Sequence, residues 1–85
     1  MESKVNEPIY KQIALDIAGR IYNNDIKVGQ KIHGRSTLAR SYNVSPETVR
    51  KAVKLLEDMK VVSSSKGSGV TIISKDNAYN FINRF

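Results

Sequence analysis

Eighty-five residues, 40 % of them hydrophobic and 26 % charged, suffice for one small soluble domain and leave little interior for a catalytic pocket. No cysteine is present, so a disulfide framework and a thiolate zinc site are excluded. No apolar run is long enough to cross a membrane, and the polar start has no secretory h-region, so a cytoplasmic location is expected. The net charge of +6 is unevenly spread: residues 1–30 are neutral, residues 31–60 carry +4 and residues 61–85 carry +2. A basic excess confined to the middle and end suits one face to a polyanion, although a generic solvated surface would give the same count.

In chain order, residues 1–7 are polar and read as a flexible N-terminus. From Pro8 the pattern turns helical, with Ile9, Ile13, Ile17 and Ile21 four apart and Tyr10, Ala14, Ala18 and Tyr22 one step round, which widens the apolar stripe. Asn23, Asn24 and Asp25 tolerate left-handed geometry and end that helix. A turn follows, then a very short strand over Lys31, Ile32 and His33. Gly34 breaks the chain, and Arg35 or Ser36 opens a second helix running to about Tyr42, with Leu38, Ala39 and Tyr42 inward.

Ser45, Pro46 and Glu47 form the clearest helix start in the chain. Serine can cap exposed N–H groups, proline fits the first turn, and glutamate complements the positive end of the dipole. The third helix extends to about Met59 with Val49, Ala52, Val53 and Leu56 inward. After Lys60 the period becomes strand-like: residues 61–65 and 70–73 are β-rich segments joined by Lys66, Gly67, Ser68 and Gly69, which predicts a hairpin. Ala78, Phe81, Ile82 and Phe85 give residues 76–85 helical spacing, and this stretch reads as the start of a linker helix leading to an effector and dimerisation domain. The predicted domain itself spans residues 8–75.

The order helix, short helix, tight turn, capped basic helix and hairpin predicts an α+β winged helix-turn-helix: a three-helix core with a small antiparallel β-hairpin wing. Such a fold must present a helix whose inner stripe is apolar and whose outer stripe is polar or basic, so that its first turns enter the major groove. The third helix meets this need, with Glu47, Thr48, Lys51 and Lys54 on the outer arc and Arg50 beside them. Thr48 and Glu47 are placed to reach base edges, glutamate being able to accept from cytosine N4. Arg50, Lys51 and Lys54 suit phosphates, which add affinity but little sequence information. At the hairpin tip, Lys66, Gly67, Ser68 and Gly69 offer a cation, a hydroxyl and accessible backbone N–H groups for a phosphate or the minor groove.

On these residues the chain resembles the amino-terminal DNA-binding domain of the GntR family of bacterial transcription regulators. The resemblance is carried by Pro8, Ile9, Tyr10, Gln12 and Ile13, by residues 26–32, Leu38 and Ala39, by residues 42–45 and 48–52, by Leu55, Leu56 and Glu57, and by Gly67, Ser68 and Gly69. It implies DNA contacts from Arg35 or Ser36 at the second helix, from Ser45, Glu47, Thr48 and Arg50 at the recognition helix, and from Lys66, Gly67 and Ser68 at the wing. Two positions depart from the family pattern. The arginine of the family's Pro-Ser-Glu-Arg is displaced by one residue to Arg35, and Pro46 stands where an arginine often follows the capping residue.

The combination of residues 34–39 with residues 45–50 is similar to one branch of the family. There the winged helix is joined to a ligand-binding domain related to those of potassium-channel regulators, some of which sense cyclic dinucleotides. The resemblance therefore implies no cofactor in this domain, and a small-molecule effector such as a cyclic dinucleotide bound by a C-terminal domain outside it. Partners implied are a double-stranded DNA operator and a second copy in a homodimer on an inverted repeat, with repression as the expected outcome and no membrane association.

Enzyme chemistry is not expected. His33 is the single histidine, and neither a nucleophile–base pair nor a cluster of metal ligands is evident. The alternatives are a winged-helix protein-interaction module and a non-specific nucleic-acid binder. The basic third helix argues against the first, because a docking face is expected to be more apolar or aromatic.

Overall fold

The computed structural model describes residues 8–32, 35–65 and 68–84. Its elements in chain order are α1 (Ile9–Tyr22), β1 (Lys31–Ile32), α2 (Arg35–Tyr42), α3 (Pro46–Asp58), β2 (Val62–Ser65), β3 (Ser68–Ile72) and α4 (Lys75–Arg84). The expected α+β winged helix-turn-helix is present, with a three-stranded rather than two-stranded sheet in the order β1-β3-β2.

The core follows from the helical stripes. Ile13, Ala14, Ile17, Ala18 and Ile21 of α1 are buried against Val49, Ala52, Val53 and Leu56 of α3, and Val61, Val62, Val70 and Ile72 close the sheet side. Each fully buried branched side chain contributes about 1.5–3 kcal/mol, so these residues supply most of what holds a domain of this size. Ala39 of α2 is buried, and Leu38 and Tyr42 pack on the core from the same face. Ile9 departs from the expected stripe: it is the first residue of α1 and is exposed.

Helix ends are set by residues that accept left-handed backbone. Asn24 (φ 69°), Asn43 (φ 59°) and Lys60 (φ 62°) follow α1, α2 and α3 in turn. Asparagine adopts this region readily. Lys60 does so because the Val61 N–H must turn back to Leu56 O (2.9 Å) before β2 begins.

All strands are antiparallel. Lys31 and Ile32 pair with Thr71 and Val70, and Val62, Ser63 and Ser64 pair with Ile72, Thr71 and Val70. A bulge between Ser64 and Ser65 lets the ladder resume at Ser68, so Ser68 and Gly69 belong to β3 instead of to the hairpin link. The Gly29 N–H donates to Ile72 O (2.8 Å) with φ 91°, which seats the loop before β1 on the sheet in a conformation suited to glycine. The Glu57 carboxylate accepts the Ser64 N–H at 3.0 Å and ties α3 to β2.

The final helix starts at Lys75, one residue earlier than expected, and lies on the domain. Ser74 Oγ accepts the Asn77 N–H (3.0 Å), Ala78 and Phe81 are fully buried, and Tyr79 stacks on Tyr22 of α1 with ring centroids 5.1 Å apart. Asn77 Nδ2 also donates to Lys60 O (3.0 Å). His33 and Phe85 lie outside the described residues.

Candidate nucleic-acid interface

The outward face of α3 is built on its cap. Ser45 has extended backbone (φ −76°, ψ 155°) and its Oγ accepts the Thr48 N–H (3.3 Å), with Pro46 in the first turn. This geometry follows from residue type, since serine satisfies an otherwise unpaired N–H and proline loses none. Because Val49, Ala52, Val53 and Leu56 are sunk in the core, the opposite side of α3 must face solvent. Glu47, Arg50, Lys51 and Lys54 are all exposed there. Glu47, Lys51 and Lys54, spaced i, i+4 and i+7, form one stripe down the helix.

Two features of this face differ from the sequence reading. Thr48 is half-buried, and its Oγ1 lies 3.1 Å from Ser45 Oγ, so its hydroxyl takes part in the cap. Glu47 and Arg50 form an ion pair: Arg50 Nε donates to Glu47 Oε1 at 3.2 Å, and Nη2 contacts Oε2. The arginine hydrogen bond holds the Glu47 carboxyl below the usual carboxylate range, and the glutamate raises the Arg50 guanidinium in turn. The i, i+3 spacing on a helix was a readable signal for this pair.

Beyond α3, Ser36 is exposed in the first turn of α2, and Arg35 opens that helix. Gly69 is half-buried in β3 behind Ser68. Lys66 and Gly67 lie outside the described residues. Tyr10 was not anticipated: Lys51 Nζ sits 5.9 Å from its ring centroid, and Tyr10, Lys51, Lys54 and Leu55 line a shallow groove along α3. Tyr10 and Lys51 are 41 positions apart, so no local pattern signals the contact. Among the described residues, no three His, Asp or Glu side chains are grouped to hold a metal. Among the same described residues, no helix is long and apolar enough to cross a membrane.

What the arrangement can do chemically is present cations, the Glu47 carboxylate and a helix N-terminus to a polyanion from a rigid support. The family described as bacterial regulatory proteins, gntR family, matches residues 9–72. The chain belongs to the GntR family. It is 36 % identical over 67 residues to an HTH-type transcriptional repressor of Salmonella typhimurium, covering 79 % of this chain and 28 % of that protein. It is 36 % identical over 73 residues to the Exu regulon transcriptional regulator of Escherichia coli K12, covering 84 % and 28 %. The fold superposes on Streptococcus agalactiae BusR, solved in complex with its busAB-promotor DNA, with TM-score 0.87 and 42 % identity over 92 % of this chain and 38 % of that one. A GntR family transcriptional regulator from Listeria monocytogenes gives TM-score 0.81 at 28 % identity, over 93 % of this chain and 70 % of that one. This chain thus spans little more than a quarter of the length of these two curated relatives.

Proposed function

We propose that this chain is the DNA-reading head of a bacterial transcription regulator, which binds double-stranded operator DNA through the first turns of α3. The observation that carries the reading is a capped helix with one face locked in the core and Arg50, Lys51 and Lys54 exposed on the other. Lys51 and Lys54 supply phosphate affinity, while Glu47 and Arg50 in the first turns meet base edges. Ser36 in the first turn of α2 and Ser68 and Gly69 at the start of β3 add contacts to the DNA backbone, together with Lys66 and Gly67. The likeness to BusR in complex with its promotor DNA supports the reading.

As a binding module the chain works without catalysis or a resident cofactor, in the cytoplasm where the chromosome is. One head reads few base pairs, so two copies on an inverted repeat about one helical turn apart would provide the affinity that regulation needs. Repression by occluding polymerase is the simplest output, and a relative named as a repressor supports it. Effector control, by a small molecule such as a cyclic dinucleotide, would reside in a C-terminal domain outside residues 8–75. A competition gel-shift series tests the core of this reading. A duplex enriched from a random pool should be retained when excess scrambled duplex is added; equal competition by both duplexes, or no shift at all, would overturn it.

A further inference from the structure

The Glu47–Arg50 pair poses a physical problem that the basic character of α3 does not solve. With inward Val49, Ala52, Val53 and Leu56 defining one side of α3, the 100° step per residue puts Glu47 near the centre of the opposite side. It is also in the first turn, which in a helix-turn-helix reader is the part that goes deepest into the groove. The group presented first to a polyanion is therefore an exposed carboxylate, and it occupies the guanidinium of Arg50. On a non-specific duplex this arrangement is doubly unfavourable, because the carboxylate meets phosphates and the arginine is already engaged.

The inventory of hydrogen-bonding sites indicates what would reverse that penalty. A carboxylate has about four acceptor positions and a guanidinium five N–H donors. The two contacts between Glu47 and Arg50 leave about two acceptor positions on the carboxylate and three N–H groups on the arginine. In the major groove the complementary groups are the exocyclic amines, cytosine N4 and adenine N6, and the acceptors of guanine, O6 and N7. Every base pair presents one exocyclic amine in the major groove, but the strand that bears it sets its place across the groove, so a fixed carboxylate can distinguish the two orientations of a pair.

Building on the DNA-binding reading, we propose that Glu47 is the specificity-determining residue of this head: it holds Arg50 from indiscriminate phosphate contact and admits only duplexes that offer its carboxylate an exocyclic amine. Arg50 then reaches a neighbouring guanine or phosphate without leaving Glu47. Loss of the carboxylate frees Arg50 to behave as one more phosphate-binding cation.

The test compares the 85-residue chain with Glu47→Gln, using a random duplex pool and one scrambled duplex across a salt series. Glu47 is exposed, and matched far-UV spectra and melting curves establish that both proteins are folded. Glu47→Gln is expected to bind the scrambled duplex about tenfold more tightly near 0.1 M salt, with a log–log salt slope steeper by about 0.9, the signature of one added phosphate contact. Its enriched sequences should lose preference at one base-pair position, and whether cytosine or adenine was favoured there identifies the amine. Arg50→Gln should weaken scrambled-duplex binding more in the Glu47→Gln background than in the native one. If the native chain binds DNA and Glu47→Gln shows the same enrichment and the same slope, the proposal falls while the DNA-binding reading stands. If neither protein binds any duplex, both fall.

Discussion

Tyr42 donates its phenolic hydroxyl to Asp16 Oδ2 across 2.6 Å, joining the last residue of α2 to the middle of α1. The same carboxylate accepts from Arg20 Nε at 3.2 Å, and the Arg20 guanidinium lies 5.8 Å from the Tyr42 ring centroid. Whatever α2 contributes to DNA is oriented partly by this tether, since the turn to α3 follows directly. Burial, the hydrogen bond to Asp16 and its negative charge together push the Tyr42 hydroxyl well above its ordinary value of 10.0.

The tether carries a pH signature. A folded-state value raised above the unfolded one means the native state keeps its proton when the unfolded chain has lost it. The stabilisation is therefore complete below pH 10 and declines as pH rises beyond it. Tyr42→Phe should cost about 1 kcal/mol at neutral pH, as for a typical hydrogen bond, and should flatten the fall in stability above pH 10. Urea unfolding of both proteins at pH 7 and pH 10.5 measures this; parallel losses in the two proteins would count against the tether.

Loss of the α3 cap should be felt in stability and in binding together. Ser45→Ala removes the acceptor for the Thr48 N–H and the partner of the Thr48 hydroxyl. A cost of about 1 kcal/mol is expected, which lowers the melting temperature by about 4–8 °C in a domain of this size. Thermal unfolding by circular dichroism reads it directly, and an unchanged midpoint would show that the cap is dispensable.

The last helix should behave as part of the domain. Phe81 is fully buried under α4, so Phe81→Ala is expected to cost about 3–5 kcal/mol. Tyr79→Ala, which removes only the exposed stack on Tyr22, should cost about 1 kcal/mol. If Phe81→Ala melts like the parent, α4 is an appendage and its packing contributes nothing.

Charge removal on α3 should act without regard to sequence. Lys54→Ala is expected to weaken binding to enriched and scrambled duplexes by the same factor and to reduce the salt slope by about 0.9. Lys51→Ala should do the same, with a further small effect from the lost contact to Tyr10. Anisotropy titrations at four salt concentrations check both, and a selective loss on the enriched duplex would move these lysines from phosphate to base contact.

The parts of this molecule that were legible in the sequence are those written in local chemistry. The start of α3 could be read because Ser45, Pro46 and Glu47 each match one requirement of a helix N-terminus, and its inner face because Val49, Ala52, Val53 and Leu56 recur with the helical period. The hairpin was legible from two β-rich segments around two glycines, but not its length. A bulge after Ser64 allows pairing to resume at Ser68, and no residue type announces that. Period identifies a buried face without naming what covers it, so α4 could be read as a helix while its docking on α1 could not. The Asp16–Tyr42 and Tyr10–Lys51 contacts join distant positions and exist only once the helices have packed. Thr48 sits at the border between inner and outer arcs, where the wheel alone does not say whether the hydroxyl serves the cap or the ligand.

The first turns of α3 are the surface expected to meet DNA. Backbone amide shifts of the isotope-labelled chain, followed by NMR as an enriched duplex is added, test it most directly. The largest changes should fall on Ser45, Glu47, Thr48, Arg50, Lys51 and Lys54, with a second group at Ser36, Ser68 and Gly69. Changes centred instead on the α1–α4 side, around Tyr22 and Tyr79, would contradict it.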